Sequence, residues 1–105
     1  VFKNLEKAIA IGLLDEGDIN YIGYNYLNDY KQPHQAEIIL KSNTKLFPES
    51  ANVYDSYGEV LAANGKMEAA VKAFAKAVTV GEKNKDPQLE FYKTNLKATK
   101  EKIKP

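Results

Sequence analysis

The chain has no cysteine. That excludes disulfides and thiolate–metal centres as sources of stability, but it leaves the compartment open. Arginine is absent too, and all fifteen basic residues are lysine. Recognition of bases and phosphates leans on the planar fork of a guanidinium, so a nucleic-acid partner is not expected. Histidine occurs once, at position 34, which argues against a transition-metal site. His34 follows Pro33 in the first turn of a predicted helix, and its spacing to Ser42, Ser50 and Ser56 suggests no catalytic triad. No apolar run approaches the roughly 18 residues that cross a bilayer; the longest, residues 8–14, has Gly12 inside it. A glycine-rich phosphate loop is also missing. Asp15, Glu16 and Asp18 sit in a segment too short for a twelve-residue calcium loop and read as helix punctuation. We therefore expect no catalytic residue, no metal and no cofactor, and neither nucleic acid nor membrane as a partner.

At 105 residues the chain has room for one small domain. Its 44% hydrophobic and 28% charged residues suit an ordinary soluble globular chain, and the net charge is only +1. Near the C-terminus, Lys93, Lys97, Lys100, Lys102 and Lys104 outnumber Glu90 and Glu101. This run reads as the solvated face of a helix, with contact to an acidic partner as the alternative. Lys3 and Lys7 precede an apolar stretch, but Glu6 interrupts them and no cleavage pattern precedes Asp15, so no signal peptide is expected. We expect Val1 to be a boundary within a longer protein.

What the chain does have is a repeat of about 34 residues. Ile19-x-x-Ile22-Gly23-x-x-Tyr26 is answered by Tyr54-x-x-Tyr57-Gly58-x-x-Leu61, 35 residues on. Ala36-x-x-x-Leu40 is answered by Ala70-x-x-x-Phe74, 34 residues on. A period of this length with alternating small and large residues marks stacked helical hairpins. Phe2, Leu5, Ile9 and Leu13 share one face of a first helix, which resembles the second helix of an earlier hairpin. Asp18 is expected to cap a helix from about 19 to 30, with Ile19, Ile22, Gly23, Tyr26 and Tyr30 on one side. Pro33 starts the third helix, which buries Ala36, Ile39, Leu40 and Leu46 and ends at Phe47-Pro48. Ser50 caps the fourth, with Val53, Tyr54, Tyr57, Gly58 and Leu61 inward and a left-handed stop at Asn64-Gly65. The fifth buries Ala70, Val71, Phe74, Ala77 and Val78 and closes at Gly81. After a polar connector, Asp86-Pro87 opens a last helix with Leu89, Tyr92, Leu96 and Ile103 on one stripe. The expected fold is all-α: stacked antiparallel helix hairpins and a C-terminal capping helix. Its units are a partial hairpin or linker helix (1–14), repeat 1 (17–49), repeat 2 (51–84) and the cap (86–104).

These residues make the chain resemble the tetratricopeptide repeat family. The second unit fits the family's pattern with Tyr54, Tyr57, Gly58, Leu61, Ala70, Phe74 and Ala77, and lacks only the closing proline, where Glu82 stands. The first fits with Ile19, Ile22, Gly23, Tyr26, Ala36, Leu40 and Pro48. It departs by one extra residue in its turn and by Asn43 in place of the small residue. The resemblance implies a right-handed superhelix and a non-catalytic module that binds a protein or peptide on the concave face of its first helices. That face would carry Asn20, Tyr24, Leu27, Asn28, Asn52, Asp55 and Glu59. The alternatives are a solvated helix face, or one covered by a neighbouring helix. In some members of the family a lysine and asparagines hold a peptide carboxylate. Here Asn20 takes the lysine's place and Glu59 follows Gly58, which implies no such clamp and a preference for neutral or basic ligands.

A narrower resemblance lies in Ser50-Ala51-Asn52-Val53-Tyr54-Asp55-Ser56-Tyr57-Gly58-Glu59 after Phe47-Pro48. It looks like the repeat tail of some bacterial serine hydrolases of esterase or β-lactamase type. That implies an accessory docking or dimerisation tail, its partner being the upstream catalytic domain or a second copy. Attached to a secreted hydrolase the chain would be exported or periplasmic, and otherwise cytoplasmic. Apolar surface left exposed on the first helix would point the same way.

Overall fold

The computed structural model describes residues 2–103. Val1 and Lys104, the first residue of the expected first unit and the last of the expected cap, lie outside the described residues. The fold is all-α, with six helices and no strand among the described residues: α1 (Phe2–Ala10), α2 (Glu16–Tyr24), α3 (Pro33–Leu46), α4 (Ala51–Ala63), α5 (Met67–Asn84) and α6 (Leu89–Lys102). A π-helical turn, Asn25–Asp29, continues α2. The helices α2 and α3 pack together, as do α4 and α5, and α4 and α6 pack on the helices that precede them.

The same steric device closes both hairpins. A methyl group at Gly23 would stand 2.5 Å from Leu40 Cδ2, and one at Gly58 would stand 2.7 Å from Phe74 Cδ1. Each glycine thus leaves the space that the large residue of the partner helix fills. We expect Gly58→Ala to gain up to about 1 kcal/mol of helix propensity and to lose more, about 1–3 kcal/mol, to overpacking. A net loss of about 1 kcal/mol in urea unfolding is the expected result, and a stabilised variant would contradict this packing.

Three helix stops share one geometry, in which a left-handed residue lets two amides turn back on the last turn. At the end of α1, Gly12 has φ +78°, and the amide of Leu13 donates to Ala8 O at 3.0 Å. After α4, Gly65 has φ +79°, and the Lys66 amide donates to Leu61 O at 2.9 Å. After α5, a lysine does the same work: Lys85 has φ +55°, and the Asp86 amide donates to Gly81 O at 2.9 Å.

Several expected details change for identifiable reasons. The first helix stops at Ala10, because Gly12 reverses the chain, so Leu13 is 71% exposed and not inward. The cap of α2 is Asp15, not Asp18. Asp15 Oδ1 accepts from the Asp18 amide at 2.8 Å while Asp18 Oδ2 accepts from the Asp15 amide at 3.2 Å, a reciprocal capping box. The extra residue of the first hairpin is taken up not in its turn but in the π turn, where the Tyr30 amide donates to Asn25 O, five residues back, at 2.9 Å. The wider coil keeps Tyr26 buried and turns Tyr30 outward, 57% exposed. The buried stripe of α3 runs Ala36, Leu40, Asn43 and on to half-buried Phe47, which leaves Leu46 at the rim. Asn43 is buried where Ala77 stands in the second unit, and its Nδ2 donates to Glu16 O at 3.1 Å. Ser50 sits at the cap position of α4, but its hydroxyl donates to Glu16 Oε2 at 2.7 Å instead of accepting an amide. Gly81 does not close α5. With Glu82 in place of proline the helix runs on to Asn84, and Gly81 is buried against Leu89 and Tyr92 of α6. Val71 and Val78 are only half-buried, while Ala73 and Val80 are buried on α5. On α6 the stripe continues through buried Thr99, and Ile103 lies exposed beyond the helix end.

The core has three parts. Ile9, Ile19, Tyr26, Ala36, Ile39, Leu40 and Val60 join α1–α4. Ala51, Ala77, Val80 and Tyr92 join α4–α6. Leu61, Ala70, Ala73 and Phe74 fill the second hairpin, with Leu96 of α6 against them. Polar ties bind the units further. Asn64 Nδ2 donates to Pro33 O at 3.0 Å and to Glu37 Oε1 at 2.9 Å, and Lys66 Nζ donates to Glu37 Oε2 at 2.8 Å. The spacing of Leu89, Tyr92 and Leu96 reproduces that of Tyr54, Tyr57 and Leu61, 35 residues earlier. Lys93 then stands at the glycine position, and it is exposed.

Candidate functional site

The seven residues expected on the first-helix face separate into distinct environments. Tyr24, Asp55 and Glu59 come together where α2 meets α4. The Tyr24 hydroxyl lies in hydrogen-bonding reach of Ser56 and Glu59, and Glu59 in turn reaches Asp55. The helix α6 covers Asp55, leaving it 2% exposed, and Asn95 Nδ2 donates to Asp55 Oδ1 at 2.9 Å. Asn28 and Asn52 are exposed. Leu27 packs against the first part of the core. Asn20 is half-buried and its Oδ1 has no partner.

Burial sets the electrostatics of this cluster. It is the main cause that pushes the Asp55 carboxyl up to about 6, with the neighbouring Glu59 adding to the shift and the Asn95 hydrogen bond opposing it. Burial also raises Glu59, against the hydrogen bonds to Tyr24 and Asp55 that favour its charged form. For Tyr24, burial again dominates and pushes the phenol well above its usual value, helped by the charge of Glu59. Both carboxyls are therefore shifted upward together, so the pair takes up protons at higher pH than free carboxyls do, Asp55 at about 6.

No lysine among the described residues pairs with either of them. The ion pairs among the described residues are Lys66–Glu37, Lys83–Glu49 and Lys93–Glu90, and none involves Asp55 or Glu59. Two uncompensated carboxyls, one reachable and one behind it, can accept a cationic group. No family profile matches this chain, and no curated protein does. The face is therefore read from its own chemistry. Among the described residues, no three His, Cys, Asp or Glu side chains converge on a metal position, and no helix is long and apolar enough to cross a membrane. His34 is exposed at the start of α3.

Ser56 and Asn95 belong to this cluster and were not expected there. Asn95 had a usable signal. It stands 35 residues after Val60, a core residue, so a polar side chain occupies a position that is apolar in the preceding unit. Ser56 carried no signal beyond lying one turn before Glu59 on the same helix.

Proposed function

We propose that this chain is a non-catalytic protein-interaction module of the tetratricopeptide type. Its α2–α4 face takes a segment of a partner that presents a lysine or arginine side chain. The observation that supports this reading is the pair Asp55 and Glu59, held side by side without a cation of their own. An incoming ammonium or guanidinium group meets half-buried Glu59 first, with the Tyr24 hydroxyl beside it. Asp55 lies behind as a second negative charge once its proton leaves. Tyrosine suits such a contact, combining a large area with a polar tip and few rotamers to freeze.

Binding of a cation requires the charged form of the pair, so it is linked to proton release. With Asp55 titrating at about 6, affinity for a basic segment should rise between pH 5 and pH 7 and level off above. Titration calorimetry with a lysine-rich and a glutamate-rich peptide of equal length checks this. The expected result is measurable binding of the basic peptide alone, weakened about tenfold or more by Glu59→Gln. Equal binding of the two peptides, or a basic peptide that binds better at pH 5 than at pH 7, would sink the proposal.

A further inference from the structure

A groove of about 370 Å³ lies between α3 and α5, with α4 beneath it. Tyr54, Tyr57 and Leu61 of α4 form its floor, Thr44 stands on the α3 side, and Lys72 and Lys76 stand on the α5 side. The floor is set in advance. The Tyr54 hydroxyl donates to Pro48 O at 3.0 Å, and Lys76 Nζ lies 5.8 Å from the centre of the same ring, within reach of a cation–π contact. Both tyrosines are half-buried, and their rings line open space.

The charge of this groove has one sign. No carboxylate is among its lining residues, and neither Lys72 nor Lys76 forms an ion pair among the described residues. The carboxylates that act on its tyrosines have lysines of their own. Glu49, beside Tyr54, pairs with Lys83 at 3.7 Å, and Glu37, beside Tyr57, pairs with Lys66 at 2.8 Å. Glu68, one turn before Lys72, is exposed and makes no ion pair among the described residues. Two cations one helical turn apart thus stand on one wall, above an aromatic floor, with no carboxylate to meet them. The repeat does not impose this charge. The same positions 34 residues earlier are Ile38 and Ser42, which line the corresponding groove between α1 and α3.

We propose that the α3–α5 groove binds an acidic protein segment in which glutamate or aspartate flanks a large apolar residue. The apolar side chain lies on the rings of Tyr54 and Tyr57, and the carboxylates beside it meet Lys72 and Lys76. Both parts are needed. Exposed ion pairs contribute little by themselves, so a segment of glutamates alone does not bind measurably, and burial of the apolar side chain supplies the rest. By helical spacing Tyr54, Tyr57 and Leu61 lie on another side of α4 from Asp55 and Glu59. The groove is therefore separate from the α2–α4 face and takes a ligand of opposite charge.

Amide chemical shifts of the isotope-labelled chain, followed at low salt, test the proposal. The probe is a short peptide with blocked ends in which each leucine is flanked by glutamates. It should shift amides around Tyr57, Leu61, Lys72 and Lys76 and leave those of Ile9 and Ile38, in the α1–α3 groove, unmoved. Lys72→Glu with Lys76→Glu should weaken binding by at least about tenfold. Both lysines are exposed, so the core stays intact, and the amide spectrum of the variant confirms its fold. Replacing the leucines of the probe by glycine should weaken binding by at least about tenfold as well. Glu59→Gln should still bind the probe to within about threefold of wild type, so failure here and failure at the α2–α4 face are told apart. A probe that shifts nothing, or shifts the α1–α3 groove instead, overturns the proposal. So does binding that ignores the lysine substitutions or the loss of leucine. A single-stranded DNA oligonucleotide that shifts the same amides at lower concentration than the peptide would also overturn it.

Discussion

Phe74→Ala should lower the stability of the chain by about 3–5 kcal/mol in urea unfolding, the range for loss of a buried aromatic ring. A domain of this size is stable by only about 5–15 kcal/mol, so much of the population should be unfolded at modest temperature. The reason is where the ring sits. It fills the opening left by Gly58, is almost fully buried, and packs within the second hairpin with Leu61, Ala70 and Ala73. Two of those neighbours are alanines, too small to collapse into the gap, so the cavity persists and its cost adds to the lost burial. Leu40 holds the same place against Gly23 in the first hairpin, and Leu40→Ala should cost about 2–5 kcal/mol. A loss below about 1 kcal/mol at either site would mean that these interlocks do not hold the hairpins.

Asp55→Asn should stabilise the chain at pH 7 and flatten its pH dependence. The Asp55 carboxyl binds a proton more readily folded, up to about pH 6, than at its reference value of 3.8. Between these values the folded state holds more protons than the unfolded one, so stability falls as pH rises through that window. Above it the folded state carries a buried carboxylate beside Glu59, whose own upward shift acts in the same direction. Asparagine removes the charge and still offers an oxygen to Asn95. The full shift corresponds to ~3 kcal/mol, and solvent screening around half-exposed Glu59 reduces the expected gain to about 1–2 kcal/mol at pH 7.

Glu37 acts in the opposite sense. Burial works to raise it, but the hydrogen bonds from Lys66 and Asn64, with the charge of Lys66, outweigh burial and hold it below the ordinary carboxylate value. Its contribution is present above the unfolded pKa and disappears as pH falls through the lowered one. Stability of the wild-type chain should therefore peak in mildly acid solution, and Asp55→Asn should move the peak toward neutrality. Thermal melts from pH 4 to pH 8 decide the matter. A variant less stable than wild type at pH 7 would show that the carboxylate is needed where it stands.

The hairpin interlocks were legible in the sequence because they are local in pattern. A missing side chain on one helix and a large one on the next recur at fixed spacing, and geometry leaves the pair little choice but to meet. Helix ends were less legible. Gly65 announces a left-handed stop, but Gly12 lies inside an apolar stripe that reads as continuous helix through Leu13, and Lys85 adopts the same conformation with no residue preference to betray it. The extra residue of the first hairpin could be counted but not located, since a wider coil and a longer turn both absorb it. The seven positions of the candidate face could be named from the sequence, but not that only Tyr24, Asp55 and Glu59 would come together, with Asp55 covered by α6. The α6 stripe of Leu89, Tyr92 and Leu96 predicts that the helix docks. It does not predict that Asn95 will settle on Asp55, because that depends on how two helices far apart in the chain come to lie.

The first hairpin keeps its surplus length inside a helix, as a cable keeps slack on its drum. On one side of the π turn Gly23 still meets Leu40, and within it Tyr26 still points into the core, edge-on to Phe2 with ring centroids 5.6 Å apart. Because the anchors on both sides stay in register, the insertion never reaches the second hairpin. The displacement ends at Tyr30, which is swung out to the solvent while its ring stays 5.1 Å from that of Tyr26.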